Sequence, residues 1–349
     1  MNLSTIKGVR MEAIAACVPE NKVDNFKFAE EHFTDDFSAT LKALGVAERH
    51  VAVKEDTTAL TMAVKAAEKL FEDGSIKKED IGAVIMVTLS PDCLMPNNAT
   101  YAQYLLGLPK DVAAFDINHA CPGYVFGLWN AALVCQNLNK KVLLLDGDIN
   151  TKYVSPWDKS TALLFGDAGT ATVLTPDANA KVWYFTFSSD GSNRDAILMR
   201  IGFKNPIKKE YLEYEEHEGS KRRFIDMAMN GQAVFNYVVD IVPEYAQEFM
   251  DELETAPEEY EKLVLHQANC FMLRKLAKAI GFDYKTQMPI CMDKYGNTSS
   301  VSIPLTICSE LQGGVGHILG IGMGAGLATG IMDINLNNIK NYGVHFVDL

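Results

Sequence analysis

No stretch of the chain stays apolar for the roughly 20 residues that a membrane-spanning helix requires, so no membrane span is expected. The opening Met-Asn-Leu-Ser-Thr-Ile-Lys has no apolar signal core ahead of a small-residue cleavage site, and the expected compartment is the cytoplasm. Basic residues are in short supply: 32 Lys and Arg against 45 Asp and Glu leave a net charge of −13. That excludes general nucleic-acid binding, which needs a basic face. An acidic partner would need a local basic patch. Lys208-Lys209 and Lys221-Arg222-Arg223 are the densest candidates, with a solvated loop as the plainer reading. Cysteines number seven, odd and without a pairing pattern, as expected of reduced thiols. No CxxC pair or His/Cys cluster has zinc spacing, so no structural metal is expected.

What the chain does have is apolar sequence in regular blocks. Its 349 residues, 48% of them hydrophobic, exceed what one core usually holds and predict two fused subdomains. In the first half, Ile81 to Thr88 reads as a buried strand, and a second strand near Val112 to Asn118 leads into a helix. Lys141 to Asp146 is a third strand, and Thr161 to Thr175 closes the set. The second half echoes this order. A strand at Leu263 to Leu265 is followed by a helix from Cys270 to Ile280, then a strand near Gln287 to Met292. A helix at Ser299 to Leu311 and two Gly-rich strands within 316–330 complete it. The shared order predicts a duplicated α/β unit, divided as 1–175 and 176–349, with one open doubly wound sheet as the alternative. The Tyr-rich, charged stretch 203–223 reads as an insertion or cap before a helix from Ile225 to Met250.

Three polar residues fall where strands end and turns begin, which is where α/β proteins commonly place their sites. Cys121 follows Asn118-His119-Ala120 and precedes Pro122, a residue suited to the first helical position. A thiol at a helix N-terminus is expected to have a lowered pKa and to be a nucleophile. A buried core cysteine is the competing reading. His266 lies in His266-Gln267-Ala268-Asn269 and Asn297 in Tyr295-Gly296-Asn297-Thr298. Alone, the first reads as a structural histidine and the second as a capped turn. Their matching positions in the two halves argue for a joint role.

These motifs are similar to those of the thiolase-fold condensing enzymes, and most closely to the β-ketoacyl-acyl-carrier-protein synthase III group. The resemblance runs from about Val9 to Asp333. It includes Leu44-Gly45-Val46-Ala47-Glu48-Arg49-His50, Phe165-Gly166-Asp167-Ala168-Gly169, Met229-Asn230-Gly231 and the run from Gly296 to Pro304. It implies a five-layered α/β/α/β/α fold, a homodimer, and acyl-CoA or acyl-carrier protein as substrate-bearing partner. No metal or redox cofactor is implied. Cys121 is then the acyl-accepting nucleophile and His266 and Asn297 complete the triad, with backbone amides at Cys121 and Gly324 as oxyanion donors. The implied reaction is decarboxylative condensation with a malonyl-type thioester. Acyl transfer to a hydroxyl or amine is the alternative. A papain-like peptidase shares the Cys–His–Asn order, but Cys121 is central and lacks that family's local sequence. A dinucleotide site at Gly320-Ile321-Gly322 fails because no βαβ unit follows.

The departures concern substrate delivery. The segment Phe37 to Leu44 lacks the Trp and Arg that many synthase III enzymes carry there. Phe271 stands where the family often has an Arg, and Arg274, Lys275, Lys278 or the basic run at Lys221 are candidate replacements; Asn269 is a further expected substrate-binding residue. Met95 falls where a bulky aromatic often limits the acyl pocket, frequently across a dimer interface. It reads either as a flexible pocket wall or as plain packing.

Overall fold

The structure, a computed structural model, describes residues 2–217 and 220–348. Met1, Leu349 and the pair Glu218-Gly219 inside the expected insertion lie outside the described residues.

Two sheets repeat one plan. In the first, Val9–Pro19 runs antiparallel to Asp167–Pro176, which is antiparallel to Lys141–Ile149. Ile81–Val87 and Ala113–Ile117 then add in parallel. In the second, Trp183–Ser189, Ala328–Asn335 and His317–Gly324 pair antiparallel in turn, and Lys262–Leu265 adds in parallel. The shared order and direction give the duplication and rule out one open sheet. Each terminus crosses over: Ser4–Ile6 edges the second sheet, and Lys340–Val347 edges the first.

Strands buried on both faces read as continuous apolar runs, as Ile81–Val87 does, with every residue buried. Helices Gly123–Leu138 and Ser302–Glu310 lie between the sheets, in one core that draws Ile85 and Val87 from the first sheet and Ile318 and Met332 from the second. Helix Ala59–Phe71 covers the outer face of the first sheet. Val242–Glu252 and Cys270–Ala279 cover that of the second. The result is five alternating layers.

Two expected elements differ. Gln287 to Cys291 forms no ladder strand. It lies beside Lys262–Leu265, with the Leu263 N–H donating to the Gln287 carbonyl at 2.9 Å and the Cys291 N–H donating to the Gln267 side chain at 3.1 Å. Pro289 removes one donor from that edge. The helix expected from Ile225 starts only at Gly231, where the Asn230 side chain caps it by accepting from the Ala233 N–H at 3.1 Å. Ala228–Met229 is instead a short strand against Ile197–Leu198. A wider turn over Tyr237–Ile241 then joins Gly231–Asn236 to Val242–Glu252. Within 203–223 the chain forms a hairpin, Tyr214–His217 against Ser220–Arg223.

Candidate active site

Each half contributes through the ends of its strands. Ala113–Ile117 delivers Cys121 to the mouth of helix Gly123–Leu138. Pro122 is the residue flanking that helix rather than its first member, and its carbonyl accepts from the Val125 N–H at 3.1 Å. Lys262–Leu265 ends at His266, whose own N–H continues the pairing to the Ile321 carbonyl at 2.9 Å. Asn297 sits in the turn before Ser299–Val301 and bridges to Phe165 on the opposite half. All three line one cavity of about 740 Å³.

The helix terminus does not dominate the thiol. Cys121 is only 8% exposed, and burial pushes its pKa up to about 11. Amides donating to the sulfur oppose this: that of Ala325, one residue beyond the expected Gly324, and to a lesser degree that of Cys121 itself. Gly324 serves by being small. With φ +154°, a Cβ there would come within 2.7 Å of the Cys121 Cβ and 2.9 Å of its Sγ. Cys121 at rest is therefore a thiol, and the expected thiolate-favouring setting is corrected.

Burial also pushes His266 down to about 4, so its ring is neutral at pH 7. Its Nδ1 lies 2.7 Å from Ser302 Oγ and 3.1 Å from the Ser299 carbonyl. The Ser302 hydroxyl donates its own hydrogen to that carbonyl at 2.8 Å. The ring nitrogen must then be the donor on this side, which leaves the Nε2 lone pair free as a base. Asn297 Oδ1 accepts from the Ser299 N–H at 2.9 Å, which leaves its NH₂ for the cavity. Ser299 thus orients both residues, from a left-handed backbone with φ +55°. Ser299, Ser302 and Ala325 were not anticipated. The only sequence signal was the Ser-rich run after Gly296-Asn297.

Of the four expected substrate-binding residues, only Asn269 lines the cavity, where it also caps helix Cys270–Ala279. Phe271 is half-exposed on the outside of that helix, stacked with Phe235 at 6.0 Å under Lys275. Arg274 lies over the Tyr284 ring at 5.9 Å. Successive helical residues point about 100° apart, so Met272 lines the cavity and its neighbours do not. Met95 is 83% exposed and also stands outside, whereas Leu94 lines the wall. The remaining wall is strongly apolar, with Met199, Met227, Met229 and Met323 prominent. The basic run at 221–223 is already engaged: Lys221 lies over the Trp157 ring, Arg222 pairs with Asp158 and Arg223 with Asp226. Among the described residues no helix is long and apolar enough to cross a membrane.

Fold and site together define a thiolase-fold acyltransferase with a cysteine at the head of its buried central helix. Residues 115–191 match the family model for 3-oxoacyl-[acyl-carrier-protein (ACP)] synthase III and residues 250–336 its C-terminal model. The β-ketoacyl-[acyl-carrier-protein] synthase III of Lactococcus lactis (strain IL1403) is 30% identical over 339 residues, covering 94% of this chain and 99% of that protein. The crystal structure of 3-oxoacyl-(acyl-carrier protein) synthase from Burkholderia xenovorans LB400 superposes with a TM-score of 0.91 at 30% identity, covering 99% of both chains. The priming β-ketosynthase of the R1128 polyketide pathway shares the fold, at a TM-score of 0.81 and 23% identity over 95% of this chain and 97% of that one. The chain belongs to the β-ketoacyl-acyl-carrier-protein synthase III family.

Proposed function

We propose that the protein loads an acyl group from an acyl thioester onto Cys121 and condenses it with a malonyl-type thioester, with loss of CO₂, to give a β-ketoacyl product. The observation that carries this reading is the convergence of Cys121, His266 and Asn297 on one apolar cavity. His266 Nε2 takes the thiol proton as sulfur attacks the thioester carbonyl, and returns it to the departing carrier thiol. The oxyanion is held by the amides of Cys121 and Ala325; Gly324 keeps that approach open. In the second step the Asn297 NH₂ stabilises the enolate oxygen. His266 joins it once the ring has exchanged its Nδ1 proton with solvent for one on Nε2, the Ser302 hydroxyl then donating to Nδ1.

The two halves divide the labour: 1–175 brings the nucleophile and part of the apolar wall, including Leu94 and Phe165, and 176–349 brings His266, Asn297 and the methionines of that wall. Acyl-CoA or an acyl-carrier protein delivers the acyl group, no metal or redox cofactor takes part, and the setting is cytoplasmic. The active form is a homodimer, for which Leu94, Met95 and the stacked Tyr101 and Tyr104 offer an exposed apolar face. The test is incubation with a panel of acyl-CoAs and acyl-carrier proteins, followed by peptide mass analysis and addition of a malonyl thioester. The expected result is an adduct on Cys121 and a product formed with release of CO₂. Transfer of the acyl group to a hydroxyl or amine without CO₂ would replace this reading.

A further inference from the structure

Two carboxyl groups lie sealed beneath the site, and the steps above make no use of them. Asp146 and Asp148 are both 0% exposed. They stand two apart on Lys141–Ile149, so their side chains share a face. The Ser300 hydroxyl lies between them, with Oγ 2.6 Å from Asp146 Oδ1 and 2.7 Å from Asp148 Oδ2.

A serine hydroxyl has one hydrogen and cannot donate to both. With both carboxyls ionised, one contact would oppose two oxygen lone pairs, and among the described residues no cation acts on either group. A proton on one carboxyl resolves this: the acid donates to Ser300 Oγ, and Oγ donates to the other. Asp148 is the anion, because it also accepts the Leu89 N–H at 2.9 Å and the Ser300 N–H at 3.3 Å. Asp146 Oδ2, by contrast, is buried without a partner. The proton therefore belongs to Asp146. Burial and the neighbouring charge hold its pKa well above the usual carboxylate range, while Asp148 is raised to about 6. The other titratable groups facing the pair are the Cys121 thiol and the phenols of Tyr124 and Tyr153, all raised and neutral at pH 7.

The pair joins the two halves. Ser300 directly follows Ser299, whose backbone orients His266 and Asn297. It also abuts the nucleophile's helix: a Cβ on Gly123 would come within 3.2 Å of the Ser300 Cβ. We propose that Asp146, Ser300 and Asp148 form a one-proton latch, in which a neutral Asp146 carboxylic acid is a positioning residue that holds the Ser299 turn against the Cys121 helix. The inference rests on the reading of Cys121 as the acyl acceptor.

The test follows acyl loading of the whole protein by intact mass across neutral and alkaline pH, in wild type, Asp146→Asn and Ser300→Ala. The amide that Asp146→Asn introduces can donate an N–H to Ser300 Oγ as the acid does, and it cannot ionise. Wild-type loading should fall at alkaline pH as Asp146 loses its proton. Asp146→Asn should load within about twofold of wild type at neutral pH and lack that fall. Ser300→Ala should slow loading about tenfold, the scale of a lost hydrogen bond to a charged group, with little change in the KM for acyl-CoA. Infrared spectra should contain a protonated-carboxyl band near neutral pH that Asp146→Asn abolishes. An unchanged alkaline fall in Asp146→Asn, or absence of that band in wild type, would overturn the latch. If wild-type Cys121 accepts no acyl group, the functional reading fails, and the infrared band still decides the latch.

Discussion

Cys121 and His266 are both held neutral by burial, and their pH behaviour follows from that. His266 titrates about 4 in the fold against 6.5 in the free side chain. A histidine with a depressed folded pKa contributes stability above its unfolded pKa and loses it as pH falls through the folded one. The unfolding free energy from urea titration should therefore drop between pH 6.5 and 4, by about 3 kcal/mol in total. His266→Gln should flatten that slope. With the thiol near 11, Cys121 should resist alkylation by iodoacetamide near neutral pH far more than the exposed Cys93 does. Rapid selective alkylation of Cys121 would contradict its raised pKa. Gly324→Ala puts a methyl group 2.7 Å from the Cys121 Cβ. Loading should fall by about 100-fold or more, and the close contact and positive φ should lower the urea midpoint as well.

At the scale of elements, helix Gly123–Leu138 is central because Cys121 stands just ahead of it and it packs between the sheets. A methyl group on Gly123 would meet Val87 at 2.7 Å as well as Ser300. Gly123→Ala should destabilise the protein by about 1–3 kcal/mol, the usual range for overpacking, as a lowered urea midpoint. The elements that sequence made legible are those with unbroken apolar runs, such as Ile81–Val87, or clear caps, such as Asn269 before Cys270–Ala279. Cys121, His266 and Asn297 were singled out because strand ends and turn residues have local signatures, and all three line one cavity. The misses have physical causes too. Apolar content alone cannot tell a ladder strand at Gln287 from an irregular segment interrupted by Pro289. Nor can it find the helix start at Asn230, where the cap rather than the apolar pattern decides. Phe271 and Arg274 were placed by likeness of position, and the helical turn aims them outward. The thiol's raised pKa came from burial, which depends on elements remote in sequence.

For the whole molecule, the duplicated sheets bring two strand ends from opposite halves to one cavity, and the exchanged terminal strands tie the halves together. Cys121 reaches that cavity from the end of a first-sheet strand and His266 from the end of a second-sheet strand. The exposed Leu94, Met95 and Tyr104 predict a dimer by sedimentation velocity, and Tyr104→Glu should shift it toward monomer. The most direct measurement is a single-turnover experiment with an acyl-CoA, then a malonyl thioester labelled in its free carboxyl carbon. The account predicts an acyl group on the Cys121 peptide, then labelled CO₂ released in step with its disappearance and with formation of a β-ketoacyl product. Acyl loss without labelled CO₂, or an adduct on another thiol that persists in Cys121→Ser, would contradict it.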